Sequence, residues 1–209
     1  MTTDAHPYWI DDPAALQALF GTVSEASTRK EVPYLHPGYQ AMIAASPFVT
    51  LATVGPNGLD VSPRGDPPGF VTIQDEHTLL LPERKGNNRI DTLRNIVSDP
   101  RVALLFLIPG AGETLRVNGR AHISIAPDLL QRFAMQGKPP VCVLEITVET
   151  VFFQCARAIY RSKLWEGRAD GRPAAVPTPG AILEALTDCA IDSATYDRDL
   201  PARQQATLY

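Results

Sequence analysis

The sequence has 209 residues, 44% of them hydrophobic and 20% charged, a size and mixture suited to one soluble globular core. Its formal net charge of −4 leaves no overall basic field to hold nucleic acid or an acidic membrane. No apolar run reaches the roughly 18 residues of a membrane span, and the start, MTTDAHPYWIDDP, lacks the features of a signal peptide, so a cytoplasmic, single-domain protein is expected.

Along the chain, Asp12-Pro13 predicts an N-cap and a first-turn proline, after which Leu16, Leu19 and Phe20 share one helical face. A second short helix is expected over residues 36–45, stopping before Ser46-Pro47. Residues 48–54, the turn Gly55-Pro56-Asn57-Gly58 and residues 59–62 spell strand, tight turn, strand. Residues 71–73 and 78–81 predict two more strands across a polar turn. Ile90, Leu93, Ile96 and Val97 restore helical spacing, and Ser98-Asp99-Pro100 ends it. Residues 102–108 form a continuous apolar run, and residues 114–125 alternate as a strand with a bulge expected at Asn118-Gly119. Pro127 opens a helix carrying Leu129, Leu130 and Phe133, and residues 141–153 are the last long strand. Beyond them, residues 168–179 read as a loop or a lid, and Thr178-Pro179 caps a helix bearing Ile182, Leu183 and Leu186.

Six or seven antiparallel strands with short helices inserted, and no βαβ alternation, predict a mainly β fold with peripheral helices, a closed or nearly closed barrel. The expected organisation is a helical segment over residues 1–45 packed on the barrel, the barrel over 46–165, and a loop and helical segment over 166–209. Cys142, Cys155 and Cys189 lie far apart. His6, His36, His77 and His122 show no HxxxH or HxH spacing. Neither a disulfide scaffold nor a protein metal site is expected.

Three polar clusters interrupt or end the β segments. The first is Ser62-Pro63-Arg64-Gly65-Asp66. The second is Glu83-Arg84-Lys85-Gly86-Asn87-Asn88-Arg89, which places three cations, a glycine and two amides where a helix begins. Free backbone N–H groups and the positive end of a helix favour an anion there, and arginine forks suit phosphate oxygens. The alternative is a solvated turn in which Asn87 or Asn88 simply caps the helix. The third cluster follows the last strand and sets Arg157 and Arg161 on one helical face, where they either meet a ligand or complement the helix end. No nucleophile–base pair, GxSxG, HExxH or Walker-type loop occurs, so no catalytic side chain is identified. Chemistry in such a protein is expected to come from a cofactor.

In order, Asn57-Gly58, Ser62-Pro63-Arg64-Gly65-Asp66, the run from Leu81 through Arg89, and Asn118-Gly119-Arg120-Ala121 resemble the pyridoxamine 5′-phosphate oxidase-like flavoproteins. Arg157-Ala158-Ile159-Tyr160-Arg161-Ser162-Lys163-Leu164-Trp165 resembles their FMN-dependent subgroup of unknown substrate. The resemblance implies an FMN-binding split β-barrel, a homodimer with two cofactor sites at its interface. By motif, Ser62, Pro63, Arg64 and Gly65 would line the flavin, and Leu81 and Pro82 would present backbone to its ring. Lys85, Asn87, Asn88 and Arg89 would take the phosphate, while Arg157, Arg161 and Ser162 would approach from the other subunit.

The chain departs from the vitamin B6 oxidase. Arg64-Gly65-Asp66-Pro67-Pro68 replaces its Arg–hydrophobic–hydrophobic–Leu–Lys stretch, and no histidine follows His122 to form the Arg-x-His pair that it has near its C-terminus. Asp66 disfavours a second phosphate unless Arg64 or another cation neutralises it. The implied function is an FMN-dependent oxidoreductase that moves hydride or electrons through flavin N5 to or from a small organic substrate. In that reading Arg64 tunes the flavin electronically. The alternatives are an FMN-holding electron carrier or sensor, and a relative that binds a deazaflavin.

Overall fold

Two kinds of local pattern build the computed structural model, which describes residues 8–166, 173 and 175–209. Runs of β-branched and apolar residues form strands, and short segments opened by proline or a polar cap form helices. In chain order these are α1 (Pro13–Ala18), α2 (Glu25–Arg29), α3 (Pro37–Ala45), β1 (Phe48–Gly55), β2 (Gly58–Gly65), β3 (Thr72–Asp75), β4 (Thr78–Glu83) and α4 (Asp91–Ser98). They continue as β5 (Arg101–Leu107), β6 (Thr114–Ser124), α5 (Pro127–Arg132), β7 (Cys142–Gln154), α6 (Arg157–Ser162), α7 (Pro179–Leu186) and α8 (Ser193–Ala206). No helix among the described residues is long and apolar enough to cross a membrane.

The chain divides into two units, Met1–Glu31 and Val32–Tyr209. In the first, the Asp12 carboxylate accepts from the N–H groups of Ala14 and Ala15, the cap that Asp12-Pro13 predicts. Leu19 is already the C-cap of α1. The second unit carries α3 and everything after it.

All seven strands join one antiparallel sheet in the order β2-β1-β5-β6-β7-β4-β3. β1 and β2 form the predicted hairpin, closing at Gly55↔Gly58 around Pro56-Asn57. Gly58 takes φ +105, a backbone state that a side chain would strain. The predicted bulge is present as a register shift between Asn118 and Gly119. Gly119 is required there because a Cβ would run into the Thr147 carbonyl of β7.

The apolar run of β5 hides an alternation: Val102, Leu104 and Phe106 are buried, while Ala103, Leu105 and Leu107 are only partly covered. The buried set joins Val49 and Leu51 of β1, Leu115 and Val117 of β6, and Leu144, Ile146 and Val148 of β7 in one core, roofed by Ile43 of α3 and Ile96 of α4. On the opposite face, Leu80 and Val143 pack against Phe133, with Leu129 and Leu130 of α5 beside them. At the far end of the chain, α7 and α8 pair through the Gly180 N–H, which donates to Asp197 Oδ1 at 2.8 Å.

The sheet is curled but not closed. β2 and β3 are its two edges and form no backbone ladder with each other. Of the closed or nearly closed barrels that the pattern allows, the structure is the split one: side chains, and not main-chain hydrogen bonds, cross the seam between β2 and the end of β4.

Candidate functional site

The seam is where the first two polar clusters meet. β2 extends through Ser62, Pro63, Arg64 and Gly65, so this cluster is strand and not the turn after it. Pro63 is tolerated because β2 is an edge strand and loses no ladder bond for want of an N–H. The two-residue repeat then sets Asp60, Ser62 and Arg64 on one face and Leu59, Val61 and Pro63 on the other. Across the gap, β3 pairs only as far as Leu80, so Leu81, Pro82 and Glu83 continue β4 with that side unpaired.

Between these walls lies a cleft of about 950 Å³, lined by Ser62, Pro63, Arg64, Gly65, Pro82, Lys85, Asn87, Asn88 and Arg89 of the expected set. Its size falls at the upper end of ordinary small-molecule sites, roughly 300–1,000 Å³. Four expected residues are not among its lining. The Leu81 side chain is fully buried in the core, leaving only its main chain to serve a ligand. Arg157, Arg161 and Ser162 sit on α6, beside the turn between β5 and β6. There Trp165 Nε1 donates to Ala111 O at 2.6 Å, and the Ser162 hydroxyl donates back to Ile159 O.

The cleft also contains ion pairs between the first two clusters that the sequence did not assign. Arg64 Nε donates to Glu83 Oε1 at 2.5 Å, and Arg84 Nε donates to Asp66 Oδ2 at 3.0 Å. These two pairs cross the seam, with side-chain exposures of 19%/11% and 17%/5%, so both lie largely out of water. Arg84 also donates to Phe133 O at 2.8 Å. The cation neutralising Asp66 is thus Arg84, while Arg64 has its own carboxylate. Counting Asp60 and Asp91, the cations Arg64, Arg84, Lys85 and Arg89 face four carboxylates, and the cleft as a whole carries no net charge. A two-residue period applied to β2 would have grouped Asp60 with Arg64. Nothing local marks Glu83, because its partner lies 19 residues away.

The corner before α4 takes neither simple form of a cap. Asn87 Oδ1 accepts from the Arg89 N–H at 3.0 Å, and Asn88 adopts φ 60. The N-cap itself is Ile90, which has no side-chain acceptor to offer. The first turn of α4 therefore opens onto the cleft without a capping side chain, and Thr92 Oγ1 donates across it to Asp60 at 3.1 Å. Lys85 is exposed and forms no ion pair among the described residues. Arg89 is held loosely by Asp91 at 2.8 Å, both side chains being substantially exposed.

Cys142, at the start of β7, is 3% exposed. Burial first, and then the negative charge of Glu83, push its thiol up to about 11 from an ordinary value of 9.0. The unfolded chain therefore ionises first, and this contribution to stability, complete below the ordinary value, is lost as pH rises through about 11. Thiol labelling at mildly alkaline pH is expected to modify the exposed Cys155 and Cys189 and spare Cys142. Urea midpoints should fall across that alkaline window less steeply in Cys142→Ala.

The sequence profile described as pyridoxamine 5′-phosphate oxidase matches residues 35–155, more than half the chain. No curated protein sequence matches it. Among solved structures, HupZ of Group A Streptococcus is 18% identical, with 65% of this chain and 98% of that one covered and a TM-score of 0.48. A candidate pyridoxamine 5′-phosphate oxidase of Lactobacillus delbrueckii is 24% identical over 58% of this chain and 95% of its own, also with a TM-score of 0.48. A FAD-binding protein of Mesorhizobium loti is 16% identical, covering 54% and 87%, with a TM-score of 0.40. With the profile spanning α3 through the end of β7, and the seven-stranded split barrel it runs along, the chain belongs to the pyridoxamine 5′-phosphate oxidase family.

Proposed function

We propose that the seam cleft binds FMN and that the protein is an FMN-dependent oxidoreductase for a small organic substrate. The observation that carries this reading is the corner at residues 85–89. An uncapped helix start, a lysine with no ion pair among the described residues and an arginine held by an exposed carboxylate converge on one end of a cleft of ligand size. That donor set suits a phosphate dianion.

The phosphate would lie against Lys85, Asn87, Asn88 and Arg89, and Ser62, Pro63, Arg64 and Gly65 would line the ring system. Leu81 and Pro82 would offer main chain, which suits Leu81, whose side chain is committed to the core. Arg157, Arg161 and Ser162 would come from the second subunit of a homodimer, consistent with their place on α6 outside the lining of their own chain's cleft. The bound flavin would supply hydride or electron transfer; the protein's part is position, exclusion of water and charge. Because Glu83 compensates Arg64, the positive charge offered to the flavin is tempered. Pyridoxamine phosphate is disfavoured as substrate, since no histidine follows His122 and the oxidase's Arg-x-His pair near the C-terminus has no counterpart there.

Titration of the apoprotein with FMN is expected to quench flavin fluorescence to a stoichiometry of one per chain. Mass spectrometry of the small molecule released on heating the purified protein should return the mass of FMN. Release of a deazaflavin would replace the cofactor, and absence of binding would remove the function.

A further inference from the structure

The end of the cleft at Asp66 has a feature that flavin binding does not require. The Asp66 side chain is 5% exposed, and a carboxylate so enclosed needs donors at both oxygens. Arg84 serves Oδ2. The donor at Oδ1, at 2.7 Å, is the phenol of Tyr209, 143 residues further along the chain. The Arg84 guanidinium carbon lies 5.5 Å from the centre of the Tyr209 ring, and Lys138 Nζ donates to the Tyr209 main-chain O at 2.8 Å. Three contacts thus hold the residues after α8, and two of them are to Asp66 and Arg84, which line the cleft.

These contacts are of a kind that another molecule can replace. A guanidinium attracts the face of any planar aromatic ring, and when the Tyr209 ring leaves, the Asp66 Oδ1 that it covered opens to water or to an incoming donor. We propose that Tyr209 is a gate. Its ring fills the position that a planar aromatic reactant would take against Arg84, and Asp66 holds it there, so the tail must leave before such a reactant enters. This rests on the flavin reading above. The hydrogen bond to Asp66, followed by burial, raises the Tyr209 phenol above the ordinary tyrosine range, as a fastened phenol requires.

Two measurements test the gate. The ultraviolet phenolate transition missing from Tyr209→Phe identifies Tyr209, and its midpoint should fall in Asp66→Asn. Separately, the FMN-loaded protein is reduced anaerobically with dithionite and reoxidised. Menadione takes two electrons and two protons to become its quinol; dioxygen takes the same to become hydrogen peroxide. If the tail is docked nine-tenths of the time, Tyr209→Ala should raise the menadione rate constant about 10-fold, because the apparent constant scales with the open fraction. Tyr209→Phe should raise it less, and the dioxygen constant should stay unchanged in both. With FMN bound, menadione and dioxygen constants that stay fixed, or that shift together, overturn the gate alone, as does an unmoved phenolate midpoint. A wild-type chain that takes up no FMN overturns the flavin reading and, with it, the gate's object.

Discussion

Arg84→Met is expected to lower the unfolding free energy by about 3–5 kcal/mol, enough to move the urea midpoint well outside error. The reason is what it leaves behind. Asp66 keeps the Tyr209 phenol but loses its cation, and a carboxylate with 5% exposure cannot recover the missing interaction from water. The Phe133 carbonyl loses its guanidinium donor as well. The double variant Asp66→Asn/Arg84→Met should recover much of the loss, since the cost belongs to the orphaned charge and not to the absence of the pair. Equal destabilisation of the single and double variants would show that Arg84 acts through packing.

Lys85→Ala/Arg89→Ala is expected to weaken FMN binding by about 100-fold or more. Each charge-assisted hydrogen bond to a phosphate contributes roughly 1.5–3 kcal/mol, and tenfold in affinity is about 1.4 kcal/mol. The substitution should barely touch folding. Lys85 has no ion pair among the described residues, and the Arg89–Asp91 contact is exposed enough that its removal costs at most about 1 kcal/mol. Fluorescence titration and urea unfolding of the same sample separate the two effects. Affinity that rises less steeply than in wild type as salt is removed would confirm lost phosphate contacts. Unchanged affinity would move the phosphate away from this corner.

Strand existence is legible where β-branched residues cluster, as in β1 and β7, or where apolar residues run on, as in β5, but strand ends are not. β2 runs through Pro63 and Gly65 because Thr50 and Phe48 of β1 pair with them, a tertiary fact that outweighs their poor strand propensity. The stripe of α4 is half realised. Leu93 and Ile96 pack on the core, Ile90 and Val97 are exposed, and the face against the sheet also carries Thr92 and Asn95, whose amide donates to Thr53 Oγ1 at 3.1 Å. Polar residues chosen to meet a strand's hydroxyl carry no hydrophobic period. α8 escaped notice because its fourteen residues contain Pro201 and no apolar repeat, although Asp192 caps it through the Thr195 N–H. Of residues 168–179, read as a loop or lid, half lie outside the described residues.

From its own letters, this protein's chain determined a many-stranded antiparallel fold, the hairpin at Pro56-Asn57, the bulge at Gly119 and the gathering of cations and amides at residues 85–89. Each of these depends on neighbours within one turn or one strand, where residue type and spacing suffice. Only the tertiary structure decided which charge meets which. Arg64 met Glu83, Arg84 met Asp66, and Tyr209 came from the far end of the chain to join that second pair. Partners in an ion pair are selected by the curl of the sheet across an unpaired seam, and no local pattern encodes that distance.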